Sequence, residues 1–206
     1  MAAKEEVVGA LPCHACPMGK TEFGADELVV WEATFLKAAR FNILTDGYLA
    51  PVVQILGRDA RPGHESELCT YVISLAPLMK TAEHKRILAC MLPKLCEQFQ
   101  AMAVCVMMEA WTVTGDGFSS LEATQAWKRE HGSLENHPDA VEIVSVHLET
   151  KEKQEGRSYP VERDDDGKVT GLGEDTYKDT HHTVALYGQF THLLHPVPVQ
   201  RLTGRH

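Results

Sequence analysis

A chain of 206 residues that is 44% hydrophobic and 24% charged is long enough to bury the core of one folded domain. Its 20 basic and 29 acidic residues give a formal net charge of −9, and this acidic balance disfavours binding to the phosphates of nucleic acid. The acidic start at Glu5-Glu6 differs from a signal peptide, and no apolar run approaches the about 20 residues that cross a bilayer, so we expect no membrane partner.

The spread of glycine, proline and apolar periodicity divides the chain into three parts. Residues 1–24 have little periodicity and predict a flexible N-terminal leader. Residues 25–195 carry the helix and strand patterns of a single domain, and residues 196–206 predict a C-terminal tail that begins in a proline-containing stretch.

The first elements of the domain are a helix and a strand. Apolar residues at three- and four-residue steps from Asp26 predict a helix that stops at Asp46-Gly47. Residues 48–57 are typical of a strand, and residues 68–75 are either its hairpin partner or a short helix.

Residues 81–100 predict a second helix. Pro93 lies inside it and removes a backbone donor, so we expect a kink or a division into two helices. The run Ala103–Val113 follows directly, and its apolar side chains alternate to both faces, as a central strand covered on both sides requires.

The second half of the chain adds a short helix and further strands. A capping motif at Ser119 opens a helix that runs to about Glu130. Residues 140–152 and 182–193 predict strands, and Asp164-Asp165-Asp166-Gly167 predicts the turn of a hairpin. This order of elements predicts an α+β fold with a single mixed, mostly antiparallel β-sheet packed with two or three helices.

The six cysteines provide evidence on the cellular compartment of the protein and on whether it binds zinc. In a chain without a recognisable export signal they predict reduced thiols and a cytoplasmic location. Cys13 and Cys16, in the sequence Cys13-His14-Ala15-Cys16, have the spacing of half a zinc knuckle, but no second pair stands at a matching distance. The open alternatives are a zinc site completed by distant ligands, a redox pair, or two incidental thiols with no cofactor.

Glu109 and His147 are the candidate catalytic residues. Glu109 shares a strand face with Cys105 and Met107, and burial among such residues would raise the pKa of its carboxyl. A contact between Glu109 and His147 across neighbouring strands would make an acid/base pair. The alternative is a structural ion pair that plays no part in chemistry.

Three short pieces carry a resemblance. They are Asp46-Gly47-Tyr48-Leu49-Ala50-Pro51, Glu109-Ala110-Trp111 and His137-Pro138-Asp139. These pieces, with the order of elements around them, are similar to uncharacterised proteins encoded by bacteria and their phages. The resemblance implies a prokaryotic or viral setting and no particular activity.

No motif in the chain supports a specific reaction, so the leading expectation is a non-enzymatic domain. Such a domain would bind a protein partner or a second copy of itself, through a sheet edge or through a packed face. The alternative is a hydrolase that uses Glu109 and His147, with or without zinc.

Overall fold

The computed structural model describes residues 13–113, 121–152, 154–175 and 193–194. Within these ranges the chain forms three α-helices and seven strands. The helices are α1 (Ala25–Asp46), α2 (Ala82–Gln98) and α3 (Leu121–His131), and single 3-10 turns lie at Ala76–Leu78 and Leu134–Asn136. The strands are β1 (Cys13–Pro17), β2 (Val52–Arg58), β3 (Leu68–Ser74), β4 (Ala103–Val113), β5 (Ala140–Thr150), β6 (Gln154–Arg163) and β7 (Val169–Leu172).

The strands form one sheet in the order β1-β3-β2-β4-β5-β6-β7, and every described pairing between them is antiparallel. The α+β fold expected from the sequence is confirmed. Residues 68–75 form a strand rather than a helix, because β3 pairs on both sides, with β1 and with β2.

β4 is the central strand, and its alternation assigns each side chain to one of two core layers. Cys105 and Met107 point to the layer that also contains Trp31 and Ile43 of α1. Val104 and Val106 point to the opposite layer, which contains residues of α2 such as Leu88. The expectation of an inner strand covered on both faces is therefore confirmed.

α1 begins and ends where its sequence signals predict. The backbone N–H of Gly24 donates to the Glu27 carboxylate at 2.7 Å, which satisfies one free amide at the start of the helix. At the end, Gly47 adopts a left-handed φ of 75° and its N–H bonds the Ile43 carbonyl. Glycine reaches this conformation without strain, so the helix closes at Asp46.

α2 is one helix that continues through Pro93, so the expected division into two helices is wrong. The residues that point toward the sheet lie on both sides of the proline, with Leu88 before it and Cys96 after it in the same core layer. Burial along the whole face offsets the single backbone bond that Pro93 cannot make.

The segment expected to be a loose leader contributes an edge strand. Cys13–Pro17 pairs with β3, and the next residue, Met18, donates its N–H to the Leu68 carbonyl at 2.9 Å. β3 would otherwise present a free row of backbone donors and acceptors, and β1 satisfies them.

The remaining expectations of the sequence analysis fall into two groups, one confirmed by the structure and one outside the described residues. The turn at Asp164–Gly167 is confirmed, since Asp164 Oδ1 accepts the N–H groups of Asp166 and Lys168 between β6 and β7. The capping motif at Ser119, the strand expected over 182–193 apart from Leu193, and the tail at 196–206 lie outside the described residues.

Candidate functional site

The structure does not bring Glu109 and His147 together. The register of β4 and β5 places Glu109 opposite Val144 and His147 opposite Val106. Directly opposed residues share a face, so Glu109 lies on the α1 side of the sheet and His147 on the α2 side. The expected contact across neighbouring strands is therefore wrong, and the acid/base pair that depended on it does not form.

Glu109 binds backbone instead. Its Oε1 accepts the N–H of Leu49 at 2.6 Å, in the link between α1 and β2. Burial raises the pKa of the Glu109 carboxyl, and this outweighs the opposite effect of the Leu49 amide. This contact also explains why β2 starts at Val52 and not at Tyr48: the chain before Pro51 bonds to a side chain rather than to a strand.

His147 lies beside a different acid, Glu149, two residues along the same face of β5. The His147 Nε2 and Glu149 Oε2 atoms are 3.6 Å apart, and both side chains are buried. Neither ring nitrogen of His147 has a hydrogen-bond partner among the described residues.

Glu149 is the centre of this buried group. Its two carboxylate oxygens accept the consecutive N–H groups of Leu193 and Leu194, each at 2.8 Å. Burial alone would raise the pKa of the carboxyl. The contact with His147, the two amides and Gln154 together lower it to about 2, so Glu149 is ionised at neutral pH.

Among the described residues, the Glu149 group holds protein backbone and presents no activated nucleophile. The negative charge of Glu149 acts on the nearby Cys96 thiol. Burial, together with that charge, raises the pKa of the Cys96 thiol to about 12. A thiol that remains protonated at neutral pH is a poor nucleophile. The signal for Glu149 in the sequence is its position two residues after His147, on the same face of a strand, but its backbone donors are distant in sequence.

The structure places Cys13 and Cys16 on opposite faces of one strand, which is not the arrangement of a knuckle. Both lie on β1, where Cys13 is paired with Ile73 and Cys16 with Thr70. Side chains three residues apart on a strand point to opposite faces, so the two thiols cannot bind one ion together without unpairing β1. Burial raises the pKa of Cys13, so this thiol is less ready to ionise than an ordinary one.

The surface feature that sequence reasoning missed is the outer side of α1. Val29, Val30, Phe41 and Leu44 expose 64%, 66%, 68% and 46% of their surface. Four large apolar side chains exposed on one helix are unusual, because such residues normally pack inward. The sequence signal was present, since these residues fall outside the three- and four-residue pattern of the buried face.

Three of these exposed apolar positions and two polar neighbours are regularly spaced. We call Val30, Thr34, Lys37, Phe41 and Leu44 the outer stripe of α1; successive members lie four, three, four and three residues apart. All five are exposed. The opposite side of the helix carries Trp31, Ala39 and Ile43, which are buried against the sheet.

An apolar groove adjoins the outer stripe. It has a volume of about 470 Å³ and runs between α1 and two strands, the edge strand β1 and its neighbour β3. Val30 and Thr34 belong to both the stripe and the groove. Trp31 is fixed in the wall by a hydrogen bond from its Nε1 to Thr70 Oγ1 at 3.1 Å, and Lys20 and Glu27 form an ion pair at the rim. Apolar side chains complete the lining: Met18, Phe23, Phe35 and Val72.

Comparison of the chain with protein-family models, with curated proteins and with solved structures finds no match. None of the helices in the described part of the chain has the length and apolar character needed to cross a membrane. We therefore infer the function of this chain from its sequence and its structure.

Proposed function

We propose that this protein is a non-enzymatic cytoplasmic domain that binds a protein partner through the outer stripe of α1 and the adjoining groove. The single observation that carries the proposal is the exposure of Val30, Phe41 and Leu44 along one line of an otherwise well-packed helix. Exposed apolar surface of this kind is costly in water and is characteristic of docking sites.

The shape and chemistry of the surface fit a protein ligand. The stripe is apolar at both ends and polar at its centre, where Thr34 and Lys37 provide a hydrogen-bonding group and a charge. An apolar contact area with a few fixed polar groups is the usual composition of an interface core. The free thiol state of all six cysteines fits a reducing compartment, and the short motifs noted above fit a bacterial or phage origin.

The hydrolase alternative has less support than the interaction domain. Its two residues lie on opposite faces of the sheet, and the Glu109 carboxylate already accepts the N–H of Leu49. A reaction would need an acid and a base within reach of one substrate atom.

The proposal is tested by capturing partners with immobilised protein from bacterial lysates, with quantification by mass spectrometry. The variant Val30→Glu/Phe41→Glu places two charges on the stripe and should lose the proteins that the unchanged chain retains. The control Gln125→Glu/Ala126→Glu adds two acidic side chains at exposed positions of α3 and should retain them. Equal capture by the stripe variant and the control, with both variants folded by circular dichroism, would refute the proposed surface.

A further inference from the structure

We infer that the partner of the outer stripe is α1 of a second copy of this chain, packed antiparallel to form a two-fold symmetric dimer. This inference rests on the proposed function and names the occupant of that same surface. It follows from the spacing of the stripe, the distribution of charge along α1, and the position of the groove.

The spacing of the stripe fits a helix. Members four and three residues apart in alternation repeat every 3.5 residues on average, which is the repeat of the seam between two packed helices. Val30 and Phe41 provide apolar contacts, and Thr34 and Lys37 are polar interruptions of the kind that fix register.

A parallel dimer of α1 is disfavoured by its own charges. Parallel two-fold packing places every residue of the seam beside its own copy, so the two Lys37 ammonium groups would meet at the centre of the interface. Like charges in contact within an interface repel each other and are costly to desolvate. An antiparallel arrangement whose two-fold axis lies away from Lys37 separates them.

The antiparallel arrangement also brings opposite charges together. The first turn of α1 is acidic, with Asp26 and Glu27, and the exposed bases Lys37 and Arg40 lie later in the helix. When the two-fold axis passes beside Ala33, Asp26 of each copy lies opposite Arg40 of the other. The pair occurs twice because the interface is isologous.

Each of these groups is available at the surface. Asp26 and Arg40 are both exposed, and the Arg40 guanidinium lies 5.8 Å above the ring of Tyr159, a contact that leaves its edge free to donate. Ala33, at the proposed axis, is small and exposed, so two helices can approach closely there. Glu27 is already paired with Lys20 and adds to the acidic end without being required.

The same register gives the groove an occupant. Phe41 of the second copy then lies opposite Ala25, between the levels of Phe23 and Val30, which both line the groove. An aromatic ring placed in this groove is removed from water, and the groove itself is covered. One contact thereby covers two apolar surfaces of α1: the exposed side chain of Phe41 and the groove beside Val30.

The first experiment measures mass in solution by sedimentation velocity over a range of protein concentrations. The chain has a mass of 22.9 kDa, and we expect a concentration-dependent species of twice that mass. Ala33→Glu should abolish it by placing two carboxylates at the axis, whereas Ala126→Glu on α3 should leave it unchanged. A monomer at every concentration, or a dimer that survives Ala33→Glu, overturns the inference.

The second experiment tests the register. Asp26→Arg and Arg40→Asp, made singly, should each weaken the dimer by at least about fivefold, because two attractive pairs become two repulsions. The combined variant Asp26→Arg/Arg40→Asp should recover most of the lost affinity. A combined variant no better than the worse single variant overturns the register, provided that all three melt near the temperature of the unchanged protein.

Failure of the inference and failure of the proposed function are distinguishable. If the protein is monomeric but still captures proteins in a stripe-dependent way, the second copy is wrong and the interaction surface stands. If it is monomeric and capture does not depend on the stripe, both are wrong.

Discussion

Glu149 Oε2 accepts the backbone N–H of Leu193 at 2.8 Å, which ties β5 to a residue 44 positions later in the chain. The other oxygen accepts the N–H of Leu194, and the Leu193 side chain is buried in the α2 layer of the core. One carboxylate thus fixes a distant piece of backbone against the sheet. Hydrogen bonds from two amides to one buried charge are stronger than bonds between neutral groups.

Removal of this carboxylate should destabilise the protein strongly. Glu149→Ala leaves two buried amides without their acceptor, and we expect a loss of about 3 kcal/mol in the free energy of unfolding, measured in urea. Glu83→Ala removes an acid of an exposed ion pair and is the matched control, with an expected loss below about 1 kcal/mol. Similar losses for the two variants would contradict the anchoring role.

The stability that Glu149 provides should depend on pH. Its pKa is lowered in the fold from 4.5 to about 2, so the folded protein binds the proton less tightly than the unfolded chain. The contribution is therefore complete above about pH 5 and is lost as the pH falls toward 2, with a total of about 3 kcal/mol. Urea unfolding of the unchanged protein and Glu149→Gln should differ most at pH 7 and converge at pH 2 to 3. A difference that stays constant with pH would show that ionisation of Glu149 is not the cause.

Glu109 should behave in the opposite way. Burial raises the pKa of its carboxyl, so the ionised form is disfavoured by the fold and costs stability above the unfolded pKa. Glu109→Gln keeps an acceptor for the Leu49 N–H and removes the charge, so at pH 7 it should leave stability unchanged or raise it by up to about 1 kcal/mol. Glu109→Ala, which removes the acceptor as well, should be less stable than Glu109→Gln in thermal unfolding. A marked loss in the Gln variant would instead indicate that the charge itself is needed.

The cysteines should divide into two groups by reactivity. Cys13, Cys16 and Cys90 are exposed, while Cys69, Cys96 and Cys105 are buried, and burial raises the pKa of Cys105 to about 12. Maleimide treatment of the native protein should therefore add three labels by mass spectrometry, and six after unfolding in urea. Protection of both Cys13 and Cys16 by added zinc, lost in Cys13→Ser, would contradict their placement on opposite faces of β1.

The sequence predicted most of the central sheet because the relevant signal is local. The apolar residues of Ala103–Val113 alternate to both sides, and only a strand with a covered surface on each side satisfies that pattern. The C-terminal end of α1 was also predictable from the sequence, because a glycine after Asp46 ends a helix without any contact to a distant residue.

The parts that could not be predicted depend on distant partners. Cys13–Pro17 lacks the β-branched residues of a typical strand and is extended because the free edge of β3 holds it. The separation of Glu109 from His147 depends on the register of β4 and β5, and a shift by one residue would have placed them on the same face. The anchoring role of Glu149 could not be predicted because its donors are backbone groups, which no side-chain motif reveals.

The short length of β1 has a consequence for behaviour at high concentration. An outermost strand is a template on which further chains can add, and long flat edges of this type lead to fibrils. Here the template spans five residues and ends in Pro17, which has no N–H to offer an incoming strand. Within the described residues, the strand at the opposite margin, β7, has only four residues. These two short margins offer little template for end-to-end polymerisation, so we expect crowding to favour discrete assemblies over amyloid-like growth.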